Sequence, residues 1–230
     1  MNGLYNLGEF KDNCGFGLIA HTKGEASHRL VATAIEALTC MTHRGGIAAD
    51  GRTGDGCGLL LQKPDAFLRR VARECGAGEL STLYGVGCVM LSQDEERAAH
   101  AQHILGQALR DQGLEVAGWR SVPTNDDCLG PIALASLPAF TQVFINGHDL
   151  SREQLAAKLL IARRLAEKQL ADDADFYVTS LNEGTVVYKG LMMPADLPGF
   201  FPDLADEELA SAICVFHQRF STNTMPRWPL

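Results

Sequence analysis

Three segments of the chain carry side chains able to do chemistry. The first is Asp12-Asn13-Cys14-Gly15-Phe16-Gly17. A thiol becomes an effective nucleophile when a base stands beside it. Placing the thiol on the first residue of a chain supplies that base internally, because the freed α-amine titrates near ~7.7–8.0, close to working pH. Cys14 would reach that state if residues 1–13 were removed as a propeptide. The plainer reading of Cys14 is a buried cysteine at the start of a strand. The second segment runs from His43 to Gly58 and holds six glycines, at 45, 46, 51, 54, 56 and 58. It lacks the Gly-Lys-Ser/Thr ending of a phosphate loop and the spacing of the dinucleotide fingerprint. It reads either as a tight surface turn or as a close backbone approach to a small ligand. The third is Cys214-Val-Phe-His-Gln-Arg-Phe-Ser-Thr222. On a strand His217 and Arg219 share the face of Val215. A guanidinium ending a buried strand calls for an anion, either a carboxylate of the protein or one carried by a ligand. His100 and His103, spaced i, i+3, and His28 lack a third ligand for a metal site.

The elements needed to position these groups can be read from periodicity and punctuation. Strands are expected at 14–20, 57–61, 84–91, 114–121, 131–136, 141–146 and 213–220, with 175–181 and 185–191 forming a hairpin around Asn182-Glu-Gly184. Helices are expected at 27–43, capped by Ser27, at 64–74, at 94–112, closed by Gly113, and at 151–170, where Ser151 and Gln154 make a capping box. Strands in runs with helices grouped between them point to layers of sheet and helix in an α+β domain, not to a strictly alternating parallel sheet. Trp228 has no following element to pack against, which points to a chain cut short.

Composition excludes several functions. With 28 acidic against 20 basic residues the net charge is -8, the wrong sign for a nucleic-acid groove. No apolar run approaches the roughly 20 residues of a membrane span. The seven cysteines are widely spaced, without any C-x-x-C pair, and no secretory signal precedes them. A reduced cytoplasmic compartment is expected, and a zinc or redox site is disfavoured.

Taken in order, the three segments resemble one family. Asp12-Asn13-Cys14-Gly15-Phe16-Gly17 is similar to the processing junction of the glutamate synthase large subunit. Thr42-His43-Arg44-Gly45, Asp50-Gly51 and Thr53-Gly54-Asp55-Gly56-Cys57-Gly58 are similar to its glycine-rich stretch, and Phe216 to Thr224 followed by Pro226-Arg227-Trp228-Pro229 is similar to a further long motif of it. The resemblance spans nearly the whole chain. It implies a propeptide at 1–13 and a class II glutamine amidotransferase domain at 14–230, with a four-layer αββα N-terminal-nucleophile fold. It implies Cys14 as the catalytic nucleophile, Arg219 holding the α-carboxylate of glutamine, Thr222 near the bound amino acid, and Arg44 with the Gly54–Gly58 loop shaping the pocket floor.

For this segment the resemblance implies no cofactor. For the full subunit it implies FMN, an iron–sulfur cluster and a small subunit that oxidises NADPH. The family's oxyanion Asn-Gly pair and a later substrate-binding aspartate are expected beyond Leu230, so the domain is expected to be incomplete at its C-terminus and impaired in isolation. Rival readings are a class II amidotransferase making a phosphoribosylamine or an amino sugar, and an inactive glutamine-binding fragment. Intact mass with N-terminal sequencing tests the processing step. The expected chain begins at Cys14, and one that still begins at Met1 denies the thiol its amine.

Overall fold

The computed structural model describes residues 14–221 and 225–229. In chain order its strands and helices are β1 (Gly15–Ala20), α1 (His28–Cys40), β2 (Cys57–Gln62), α2 (Asp65–Glu74), β3 (Tyr84–Leu91), α3 (Glu95–Asp111), β4 (Glu115–Ser121), α4 (Pro131–Leu134), β5 (Ala139–Asn146), α5 (Arg152–Gln169), β6 (Tyr177–Asn182), β7 (Thr185–Gly190), α6 (Leu197–Phe200) and β8 (Ile213–Gln218). The expected propeptide, residues 1–13, lies outside the described residues.

Two four-stranded antiparallel sheets result, in the orders β1-β8-β2-β7 and β4-β5-β3-β6. Helix α1 packs on β1 and β8, while α3 and α5 pack on each other beside the second sheet. The α+β class expected from the sequence is the class found. Local chemistry explains the helix starts. Ser27 Oγ accepts from Leu30 N–H at 3.3 Å, Asp94 accepts from Arg97 N–H at 2.9 Å, and Ser151 and Gln154 exchange both bonds of a capping box. Leu30, Val31, Ala34 and Leu38 then bury one face of α1 against the first sheet. Gly113, at φ 71°, ends α3 in the left-handed conformation that a residue without Cβ adopts freely.

Three expectations need correcting. The segment 131–136 is not a strand. Pro131 at the first helical position presets a helical φ, and α4 forms instead. Its first-turn N–H groups, which lack partners within the helix, find acceptors at once, Ile132 on Asp50 Oδ2 at 3.1 Å and Ala133 on Thr53 Oγ1 at 3.2 Å. The Thr53 hydroxyl and N–H, joined by the Arg52 and Ile132 N–H groups, donate to Asp50 and hold its carboxyl well below the usual carboxylate range.

β6 and β7 are not a hairpin either. β6 pairs with β3 and β7 with β2, so the chain changes sheets at a corner where Asn182 Oδ1 accepts from Gly184 N–H at 2.8 Å and Thr185 N–H at 2.6 Å. Trp228 is not left unpacked. It is only 3% exposed, donates from Nε1 to the Ala133 carbonyl at 3.1 Å, and lies within 5.6 Å and 5.8 Å of the Phe140 and Phe200 rings.

Between the sheets sits a charged group that the apolar pattern does not announce. Arg120 of β4 binds Asp203 through both guanidinium nitrogens, at 2.7 and 2.8 Å, and donates to Gln142 Oε1 at 2.9 Å. Tyr188 of β7 donates to the same carboxylate at 2.9 Å. The side chains of Arg120 and Asp203 are 11% and 5% exposed. Removing one partner leaves a buried charge uncompensated, so Arg120→Met is expected to cost about 3–5 kcal/mol in denaturant unfolding. Asp203→Leu added to it should restore part of that loss, and a cost below about 1 kcal/mol would mean that solvent screens the pair.

Candidate active site

Strand β8 lies between β1 and β2, and its register aligns all three chemical segments. Gln218 is opposite Gly15 on one side and Cys57 on the other. The next residues along are Cys14, Arg219 and Gly56, and the β2–β8 ladder continues through Arg219 N–H on the Gly56 carbonyl at 2.9 Å. The half-buried Cys14 and Arg219 therefore stand side by side at one end of the first sheet, with the glycine-rich stretch on the far side of Arg219.

The loop after α1 closes over this end. A Cβ on Gly15 would lie 3.2 Å from Arg44 Cβ, which places Arg44, itself exposed, against the first residue of β1. A Cβ on Gly45 would fall 1.8 Å from Gln218 Nε2 and 2.8 Å from the Arg219 carbonyl, so only glycine lets the loop cross β8 there. The structure sets Cys14 beside Arg219, while Arg44 lies against the Cβ position of Gly15, on the α1 side of the sheet. Thr222 lies outside the described residues. The glycine stretch divides by role. Gly51 turns at the surface, whereas Thr53 to Gly58 are buried, with Gly56 at φ 116°.

The residue that sequence reasoning did not single out is Asp55. Its buried Oδ2 accepts from Gly46 N–H at 3.2 Å and from Ser221 N–H at 2.7 Å, and its own N–H donates to the Gly46 carbonyl at 3.1 Å. One carboxylate thus ties the loop beyond Arg44 to the chain beyond Arg219. An acid enclosed between Gly54 and Gly56 was the available signal, since backbone N–H groups crowd where side chains are missing.

Electrostatics separate the cysteines. Burial pushes the thiols of Cys57, Cys88, Cys128 and Cys214 up, that of Cys214 to about 11, so these remain protonated and unreactive near pH 7. On β8, burial and the Lys189 and Arg219 charges push the His217 imidazole below its ordinary value. Burial, and then Arg219, bring Lys189 down to about 8. Among the described residues no three His, Cys, Asp or Glu converge as metal ligands, and all seven cysteines are free thiols. No helix of the described residues is long and apolar enough to cross a membrane.

Two antiparallel sheets flanked by helices, with a thiol at the head of the first strand, are the layout of the N-terminal-nucleophile hydrolases. The chain belongs to one family within that class, the class-II glutamine amidotransferases, which it matches over residues 14–230. It is similar to the glutamate synthase [NADPH] large chain of Bacillus subtilis, 40% identical over 229 residues that cover 98% of this chain and 15% of that protein. It is also similar to the ferredoxin-dependent glutamate synthase of Pyropia yezoensis, 37% identical over 235 residues and covering 100% of this chain and 15% of that one. The glutamate synthase [NADPH] large chain of Azospirillum brasilense is 37% identical over 232 residues, again 15% of its length. The chain thus spans about 15% of the curated relatives it matches.

The role of Asp55 can be measured. Asp55→Ala removes the acceptor shared by Gly46 and Ser221 and should cost about 2–4 kcal/mol of stability. Asp55→Asn keeps one acceptor oxygen and should cost less. Equal losses in the two variants would assign the effect to charge instead of hydrogen bonding.

Proposed function

We propose that this chain performs the glutamine-hydrolysing step of a glutamate synthase. The observation that carries the reading is the register that sets Cys14 beside Arg219 at the end of β1 and β8. After cleavage before Cys14, the α-amine takes the thiol proton and the sulfur attacks the side-chain amide carbon of glutamine. The proton passes to the leaving nitrogen, ammonia departs and a thioester remains. Water, activated by the same amine, attacks the thioester carbonyl, glutamate leaves, and the proton returns to sulfur.

Arg219 suits the α-carboxylate, because a guanidinium can bind it with two parallel bonds and no flexible ammonium can. Thr222 is assigned to the neighbourhood of the bound amino acid. Arg44 and the Gly54–Gly58 backbone are assigned to the pocket floor. Released ammonia would be joined to 2-oxoglutarate elsewhere in a longer polypeptide, by machinery with FMN and an iron–sulfur cluster, and a small subunit oxidising NADPH is the partner this reading implies. Relatives named for NADPH and for ferredoxin resemble the chain to a similar degree, 40% and 37%, as befits a segment that handles no electrons. Residues 1–13 act as a propeptide in this reading, and the working compartment is the cytoplasm.

A thiol-directed glutamine analogue tests it. Cys14 should be labelled in preference to the other six cysteines. Cys14→Ala should abolish labelling, and Arg219→Lys should slow it at least tenfold by losing the bidentate contact, about 1.4 kcal/mol. Uniform labelling of the cysteines would remove Cys14 from the nucleophile role.

A further inference from the structure

Strand β8 ends at Gln218, so sheet pairing alone does not fix Arg219, the residue after it. The Arg219 N–H still reaches a backbone acceptor, the Gly56 carbonyl, at 2.9 Å. Two residues on, the Ser221 N–H turns to the same loop but meets a side chain, Asp55 Oδ2, at 2.7 Å. The carboxylate thus supplies the rung that the main chain ahead of β2 does not. Between these tethers, Gln218 Nε2 donates to the Arg219 carbonyl at 3.4 Å.

Asp55 can act as a tether because it is itself fixed. It exchanges two bonds with Gly46, its N–H donating to the Gly46 carbonyl at 3.1 Å and its Oδ2 accepting from the Gly46 N–H at 3.2 Å. A Cβ on Gly46 would lie 2.7 Å from Oδ2, and one on Gly54 would lie 2.6 Å from the Met192 carbonyl. Backbone therefore closes in from both sides, and the buried carboxylate has little room to move. A single oxygen, Oδ2, receives both the Gly46 and the Ser221 N–H.

We propose that Asp55 is a positioning residue for the grip on the substrate's α-carboxylate: through Ser221 it holds the backbone from which the Arg219 guanidinium projects. The inference rests on the amidotransferase reading of the site, in which Arg219 binds that carboxylate. Asp55 acts through the chain and needs no contact with the substrate. A guanidinium binds a carboxylate with two bonds only when the two planes are aligned, and a misplacement of about 1 Å can cost on the order of 100-fold. The nucleophile depends on a different contact. Cys14 is carried by β1, whose pairing with β8 runs from Gly15 opposite Gln218 to Ala20 opposite Ile213 and does not involve Asp55. Loss of the tether should therefore loosen one end of the substrate and leave the attack on its side-chain amide in place.

The test uses the full mature polypeptide beginning at residue 14 and two substrates, L-glutamine and L-glutamine methyl ester, whose α-carboxylate is capped. Asp55→Ala should raise KM for glutamine about tenfold or more while changing kcat less than about threefold. Asp55→Asn, whose amide oxygen can take the place of Oδ2, should stay within about threefold of the parent in both. The preference for glutamine over the ester, as a ratio of kcat/KM values, should fall about fivefold or more in Asp55→Ala and hold in Asp55→Asn. That ratio is read on folded molecules only, so destabilisation alone does not move it. If Asp55→Ala does not fold, Gly46→Ala, which crowds Oδ2, should give the same fall. An unchanged ratio, or a loss confined to kcat, overturns the proposal. In an Arg219→Ala background Asp55→Ala should lower the ratio no further, and a further fall would mean that Asp55 does not act through Arg219. A parent that prefers glutamine while the variants keep that preference removes the positioning role and leaves the amidotransferase reading standing. A parent that hydrolyses neither substrate removes both.

Discussion

The backbone ladder on both edges of β8 is the constraint on which the candidate site depends. Its bonds to β1 and β2 bring together residues that lie some 40 to 200 positions apart in the chain, Cys14, Gly56 and Arg219. The register is held by side chains as well as by hydrogen bonds. Cys214, Phe216 and Gln218 are buried, and the Phe216 ring occupies the space above Gly17, where a Cβ would lie 2.4 Å from its Cζ. A slip of one residue would expose Phe216 and turn Arg219 and His217 to the opposite face. Packing on the α1 side of the sheet thus fixes chemistry on the other side.

Loop closure depends on the same ladder. The segment after α1 crosses β8 because Gly45 has no side chain, and it is held there because Asp55 accepts from Gly46 and Ser221. Each glycine without a side chain brings backbone N–H groups closer together, and the single carboxylate among them is where those groups converge. The six-glycine stretch is therefore partly a turn and partly a scaffold. The division falls between Gly51, whose added Cβ would meet nothing, and Gly54, whose Cβ would meet the Met192 carbonyl at 2.6 Å.

Local signals were legible in the sequence and relations between distant segments were not. Ser27, Asp94 and the Ser151–Gln154 pair mark helix starts because a cap is settled within four residues. The turn at Asn182 is equally local, but which strands β6 and β7 join is decided by partners elsewhere, and a turn motif carries no information on that. Pro131 held the signal for α4, outweighed by the apolar run after it. Trp228 looked stranded because its neighbours Phe140 and Phe200 are remote in sequence. Cys14 and Arg219 were singled out from their motifs, and the β1–β8 register makes them neighbours; Arg44 meets the strand at Gly15. Asp55 escaped notice because its importance lies in what it accepts from, and Arg120–Asp203 because a buried ion pair leaves no periodic trace.

The pairing of β1 begins at Gly15. Cys14, the first described residue, directly precedes it. Under the proposed function the nucleophile would be armed by trimming the chain, and a peptide bond hydrolysed in this way is not remade. Such a domain would be switched on once in its lifetime, by loss of a few residues, and would carry no reversible control over its own activation. Any later adjustment of its rate would have to come from what occupies the pocket.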